Sequence, residues 1–80
     1  MYQNMTIKEL KTELRVGKFA RVKWRDVGAL DCLVIKKMDE GKITKNTDFK
    51  GFFLESGTTD RFSADQVIAV GDYISANTGF

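Results

Sequence analysis

Phe19-Ala20-Arg21-Val22-Lys23-Trp24-Arg25 alternates between two kinds of side chain: Ala20, Val22 and Trp24 in one set, Arg21, Lys23 and Arg25 in the other. A repeat of two sends successive side chains to opposite faces of an extended chain, so the stretch reads as a half-buried β-strand. One face is apolar and turned to a core. The other is cationic, its side chains about 6.8 Å apart along the strand.

Upstream the period changes. Ile7, Leu10 and Leu14 share a face at helical spacing, and Thr6 with Glu9 three residues on forms a capping box, which predicts a short helix over 5–16. Gly17 stops it. A helix this short persists only by docking its apolar stripe on the rest of the fold. Downstream, Asp26-Val27-Gly28 reads as a turn. Leu30 to Met38 is apolar on both faces, as a central strand contacting core on each side would be. Asp39 to Asp48 is polar and contains Gly41, and reads as a long, mobile hairpin loop. Phe49 to Glu55 is a further strand, and Ser56-Gly57-Thr58-Thr59 turns into a strand over Asp60 to Ser63. Ser63-Ala64-Asp65-Gln66 has the pattern of one capped 3₁₀ turn, Val67 to Val70 returns as a last strand, and Tyr73 and Ile74 are candidates to pack behind it.

This order predicts a mainly β protein: a small antiparallel barrel of four or five strands over 17–70, a short N-terminal α-helix, and a tail over 71–80, in one domain spanning 1–80. A helix with an open sheet is the alternative. The chain has 80 residues, 42% apolar and 30% charged, which suits one globular domain rather than a disordered segment. No apolar run approaches the roughly 20 residues of a membrane-spanning helix.

The stretch from Val16 to Val70 resembles the Tudor and KOW-like branch of the SH3-like barrels, over about two-thirds of the chain. Val16-Gly17-Lys18-Phe19-Ala20-Arg21-Val22-Lys23-Trp24 followed by Asp26 is similar to the Tudor opening of a glycine, alternating apolar residues, an aromatic and an acid. Phe53-Leu54-Glu55-Ser56-Gly57 with Asp60 sits where Tudor domains carry a phenylalanine, an acid, an aromatic, a glycine and an acid. The resemblance implies an SH3-like fold. It does not carry over the aromatic cage that reads methylated cations, because Ser56 stands at one cage position and Asp31-Cys32 at another, leaving Trp24 and Phe53 as two walls. Plasmid-type dihydrofolate reductases are SH3-like barrels of similar length, and Lys50-Gly51-Phe52-Phe53-Leu54-Glu55-Ser56 looks like their corresponding strand. Asp60-Arg61-Phe62-Ser63 replaces the Val-Gln-Ile-Tyr stretch their activity depends on, so this likeness too implies fold alone.

Catalysis finds little to work with. There is no histidine, the commonest general base and metal ligand, and one cysteine cannot build a structural zinc site. Cys32 lies in the most apolar strand, as a buried inert thiol would; lacking an intrachain partner, it points to a reducing cytoplasm. No phosphate-binding glycine loop is present, and no cofactor or metal is expected. Binding is the better expectation.

Net charge is only +2, but Arg15, Lys18, Arg21, Lys23 and Arg25 fall within eleven residues that contain no acid. These five are the candidate contacts to a DNA or RNA backbone; an ordinary solvated strand face is the competing explanation. Lys36, Lys37, Lys42 and Lys45 would add to the patch if they face it. Phe49, Phe52, Phe53 and Phe62 are many rings for so small a core, and Phe52 alternates out of step with Phe49 and Phe53. Phe52, Trp24 and Phe62 are therefore the candidate protein-interaction residues, for a partner protein or a second copy of the chain. Tiny, cysteine-poor single-domain binders are frequent among bacteriophage proteins, which suggests a modulator of a host complex in the cytoplasm of an infected bacterium.

Overall fold

The computed structural model describes residues 5–72. Tyr73 and Ile74 lie outside them. The capping box at the start of helix α1 (Ile7–Glu13) forms in both directions: the Glu9 amide donates to the Thr6 hydroxyl at 3.2 Å, and the Thr6 amide donates to the Glu9 carboxylate at 2.8 Å. The helix is shorter than the expected 5–16. Thr6 is its cap, and the chain is already extended at Leu14, whose amide makes the closing bond to Leu10 at 2.9 Å. Leu10 and Leu14 are both buried, so the apolar stripe docks even though its last residue has left the helix.

Five strands follow: β1 (Phe19–Trp24), β2 (Gly28–Lys37), β3 (Asp48–Phe53), β4 (Thr58–Ser63) and, after a 3₁₀ turn at Ala64–Gln66, β5 (Val67–Gly71). They make one sheet in the order β4-β3-β2-β1-β5, each pair antiparallel. The apolar β2 is the central strand, as its two-sided pattern predicts. Strand β1 is also interior, paired to β2 and β5.

The outermost strands β4 and β5 do not pair, yet one short turn joins them. A flat sheet of five strands would hold them about 19 Å apart, and four peptide units reach only about 15 Å. The sheet must therefore curl. Two bulges help: Ile35 is the extra residue between the Val34–Gly51 and Lys36–Lys50 pairs, and Ile68 the extra residue opposite Arg21 and Val22. The fold is thus mainly β and antiparallel with one short helix, and its ladder stays open between β4 and β5 where the expected barrel would close.

The concave face holds Ala20, Val22, Cys32, Val34, Phe49, Phe53, Phe62 and Val67, capped by Leu10 and Leu14. Three phenylalanines fit because Gly51 has no side chain. A Cβ there would sit 2.7 Å from the Cys32 sulfur and 3.1 Å from the Phe62 ring. Phe62 is consequently buried, stacked on Phe49 at 5.7 Å and edge-on to Phe53 at 6.3 Å. This corrects its expected role as an exposed interaction residue.

The loop between β2 and β3 also differs from expectation. Thr47 is buried; its hydroxyl accepts the Thr44 amide at 2.8 Å and its carbonyl accepts the Ala64 amide at 2.9 Å. The Lys45 carbonyl accepts the Asp65 amide at 3.0 Å, and Ile43 packs against the core. The loop is pinned to the 3₁₀ turn by backbone bonds that its polar composition does not announce.

Candidate functional site

Arg21 and Lys23 point to the convex face of the sheet, as the alternation in β1 requires. Their surroundings differ. Arg21 pairs in register with Asp31 of β2, and its Nε donates to the carboxylate at 2.9 Å with both side chains partly buried. Lys23 lies opposite Ala29, exposed, with no ion pair among the described residues. Lys18 is engaged by Asp72, and Lys18 first, then Arg15, holds the Asp72 carboxyl below its usual range. Arg25 has left the strand. At φ 41° it sits in the hairpin turn closed by the Val27 amide on the Trp24 carbonyl (2.9 Å), and its guanidinium lies 5.7 Å from the Trp24 ring centroid. The five-residue basic stretch is thus not one stripe: Arg21 and Lys18 are in ion pairs, Arg25 rests by an aromatic ring, and Lys23 and Arg15 are exposed.

A second cationic group lies on the convex face, assembled from three strands. Lys36 pairs with Lys50 and Lys50 with Arg61, so three cations stand side by side across β2, β3 and β4. Neighbouring strands are about 4.8 Å apart, and like charges directly opposite one another destabilise a sheet. Asp48 relieves one end only: its carboxylate accepts from Arg61 at 3.3 Å, with both side chains largely exposed. Lys36 and Lys50 have no ion pair among the described residues. Of the other lysines, Lys37 turns onto the carbonyls of Asp39 (2.5 Å) and Gly41 (2.6 Å), and Lys42 joins Lys11 and Ile43 around a separate hollow.

Beside the cation row runs an apolar one. Phe19 pairs with Leu33, Leu33 with Phe52 and Phe52 with Thr59, again on the convex face. Phe52 is 37% exposed, an outward ring as the alternation predicts. Leu54 continues the register by donating its amide to Asp31 at 3.1 Å, and is 44% exposed. The grouping of Lys36, Lys50, Arg61 and Phe52 cannot be read along the chain: it requires the cross-strand register, which the Ile35 bulge resets.

At the rim, Trp24 and Phe53 meet with ring centroids 5.1 Å apart and planes inclined at 51°. With Leu30, Ser56, Thr58 and Asp60 they line a hollow of about 220 Å³, smaller than the roughly 300 Å³ at which small-molecule sites begin. Trp24 is half-buried at the edge of the core rather than a freely exposed ring. Cys32 is buried, and burial first, then the nearby Asp31 charge, pushes its thiol up to about 12. That leaves it a neutral, unreactive group. No group of three or more His, Cys, Asp or Glu converges among the described residues. No family model, curated protein or solved structure matches the chain.

Proposed function

We propose that the protein is a non-enzymatic binding module that associates with nucleic acid through the convex face of its sheet. The observation that carries this reading is the Lys36–Lys50–Arg61 row. Three cations aligned across adjacent strands oppose folding of the free protein, and a phosphate backbone laid over them turns that repulsion into attraction. Lys23 lies on the same face, and the exposed Arg15 and Arg25, at the two ends of the segment that carries β1, add to the positive field. This keeps the basic first strand in the site and moves the centre of the site to β3.

We read the curled sheet as a small SH3-like barrel of the Tudor/KOW type. Support comes from the strand order, from the single 3₁₀ turn before the last strand, and from Trp24 meeting Phe53 where that family carries two walls of its aromatic pocket. The alternative is a protein-interaction module or homo-oligomer, favoured by the outward Phe52 and Leu54 and by Val27, 64% exposed at the hairpin turn.

The test compares binding of unrelated DNA and RNA at low salt by the wild type and two charge reversals, Lys36→Glu with Lys50→Glu, and Lys23→Glu alone. The double variant is expected to lose most of the affinity and Lys23→Glu a smaller part. Unaltered binding by the double variant, or no binding by the wild type, overturns the assignment. Light scattering addresses the alternative, for which a monodisperse dimer would be the positive result.

A further inference from the structure

The convex face carries more than charge, and its second component narrows the ligand. Phe52 and Lys50 are two residues apart on β3 and therefore project from the same side, one strand repeat from each other. Lys36 and Arg61 flank Lys50, while Leu33 and Thr59 flank Phe52. The cation row and the ring thus form two parallel bands: one suited to phosphates, the other to the flat face of a base.

Building on the nucleic-acid reading above, we infer that the ligand is single-stranded, with a base stacked on Phe52 while its neighbouring phosphates lie along Lys36, Lys50 and Arg61. Bases of a duplex are stacked on each other and present only their edges in the grooves, so a ring standing on a sheet surface has no base face to meet. An unpaired strand exposes that face. An aromatic platform beside a cationic track is the arrangement by which sheet surfaces hold single strands without reading sequence, because every base has a π-face. Leu33, half-buried on one side of Phe52, and Thr59 on the other leave its outward face free to accept a base without opening the core. Recognition here is indifferent to sequence, since no hydrogen-bonding side chain stands beside Phe52 in its row except the Thr59 hydroxyl.

The test is a titration by fluorescence anisotropy of a labelled twelve-nucleotide oligo-dT, an oligo-U of the same length, a mixed-sequence duplex and polyglutamate. The proteins are the wild type, Phe52→Ala and Lys36→Glu/Lys50→Glu, each first shown to unfold cooperatively. The inference expects at least tenfold tighter binding of the single strands than of the duplex. Phe52→Ala should weaken single-strand binding about five- to a hundredfold and leave duplex binding within about twofold. Equal affinity for single strand and duplex, with Phe52→Ala indifferent, overturns the stacking inference while leaving a phosphate-binding face in place. No binding of any nucleic acid at low salt overturns both. Polyglutamate bound as tightly as oligo-dT overturns both in favour of an acidic protein partner.

Discussion

Gly51 decides how three phenylalanines share one small interior. Its missing side chain is the space that the Cys32 sulfur and the Phe62 ring occupy, so a methyl group there would have to displace one of these buried side chains. Gly51→Ala should therefore destabilise the protein by about 1–3 kcal/mol through overpacking. Urea denaturation reads this as a lower midpoint at an unchanged slope; an unchanged midpoint would show that the interior has slack. The position of Phe62 was illegible for the same reason: whether a ring on β4 is buried depends on a glycine on the neighbouring strand. Cys32 was legible, because a strand apolar on both faces leaves few exposed places for a thiol. Its folded-state pKa is raised to about 12. Its contribution to stability is thus fully present below the ordinary thiol range and lost as pH rises from about 8.5 through about 12. Iodoacetamide at pH 8 should leave Cys32 unmodified in the native protein and label it fully in denaturant, with mass spectrometry as the readout. Rapid labelling of the native state would mean that β2 opens.

Among the elements, the start of α1 was the most legible, since its cap is written in two residues three apart, Thr6 and Glu9. Thr6→Ala should cost about 1 kcal/mol of stability. The Glu9 carboxyl is held below its usual range, chiefly by the bond from the Thr6 backbone amide and then by the Thr6 hydroxyl. A depressed carboxyl stabilises the fold above its unfolded pKa and loses that contribution as pH falls through its folded value, so the benefit of the Glu9 carboxylate should shrink in acid. Thermal melts of Glu9→Gln and wild type should converge as pH drops from 7 to 3, because the protonated carboxyl then resembles the amide; a constant gap would contradict this origin. The cation row on β2, β3 and β4 was illegible. Lys36, Lys50 and Arg61 are far apart in sequence, and only a register with a bulge at Ile35 brings them abreast. Lys50→Glu replaces two repulsive cross-strand neighbours with attractive ones, so the free protein should gain about 0.5–1 kcal/mol while nucleic-acid binding falls. A variant that is both less stable and unimpaired in binding would show that the row serves neither purpose proposed for it.

For the whole molecule, the alternation of residues 19–25 and the two-sided pattern of β2 were enough to foresee a small antiparallel fold. How its charge is distributed was not foreseeable. Lys18 meets Asp72 across 54 positions of sequence, and Arg21 meets Asp31 across the β1–β2 ladder, so part of the basic stretch is matched within the chain. What remains is one face of a curled sheet bearing Lys23, Lys36, Lys50 and Arg61, with an outward phenylalanine among them. A net charge of +2 hides this, because acids elsewhere balance the total. If four phosphates are neutralised at that face, the logarithm of the association constant for a single-stranded oligonucleotide should fall against the logarithm of salt concentration with a slope of about −3. The slope should move toward about −1 in Lys36→Glu/Lys50→Glu. A slope near zero in the wild type, or one unchanged by that double reversal, would contradict the proposal that this face is where the protein binds.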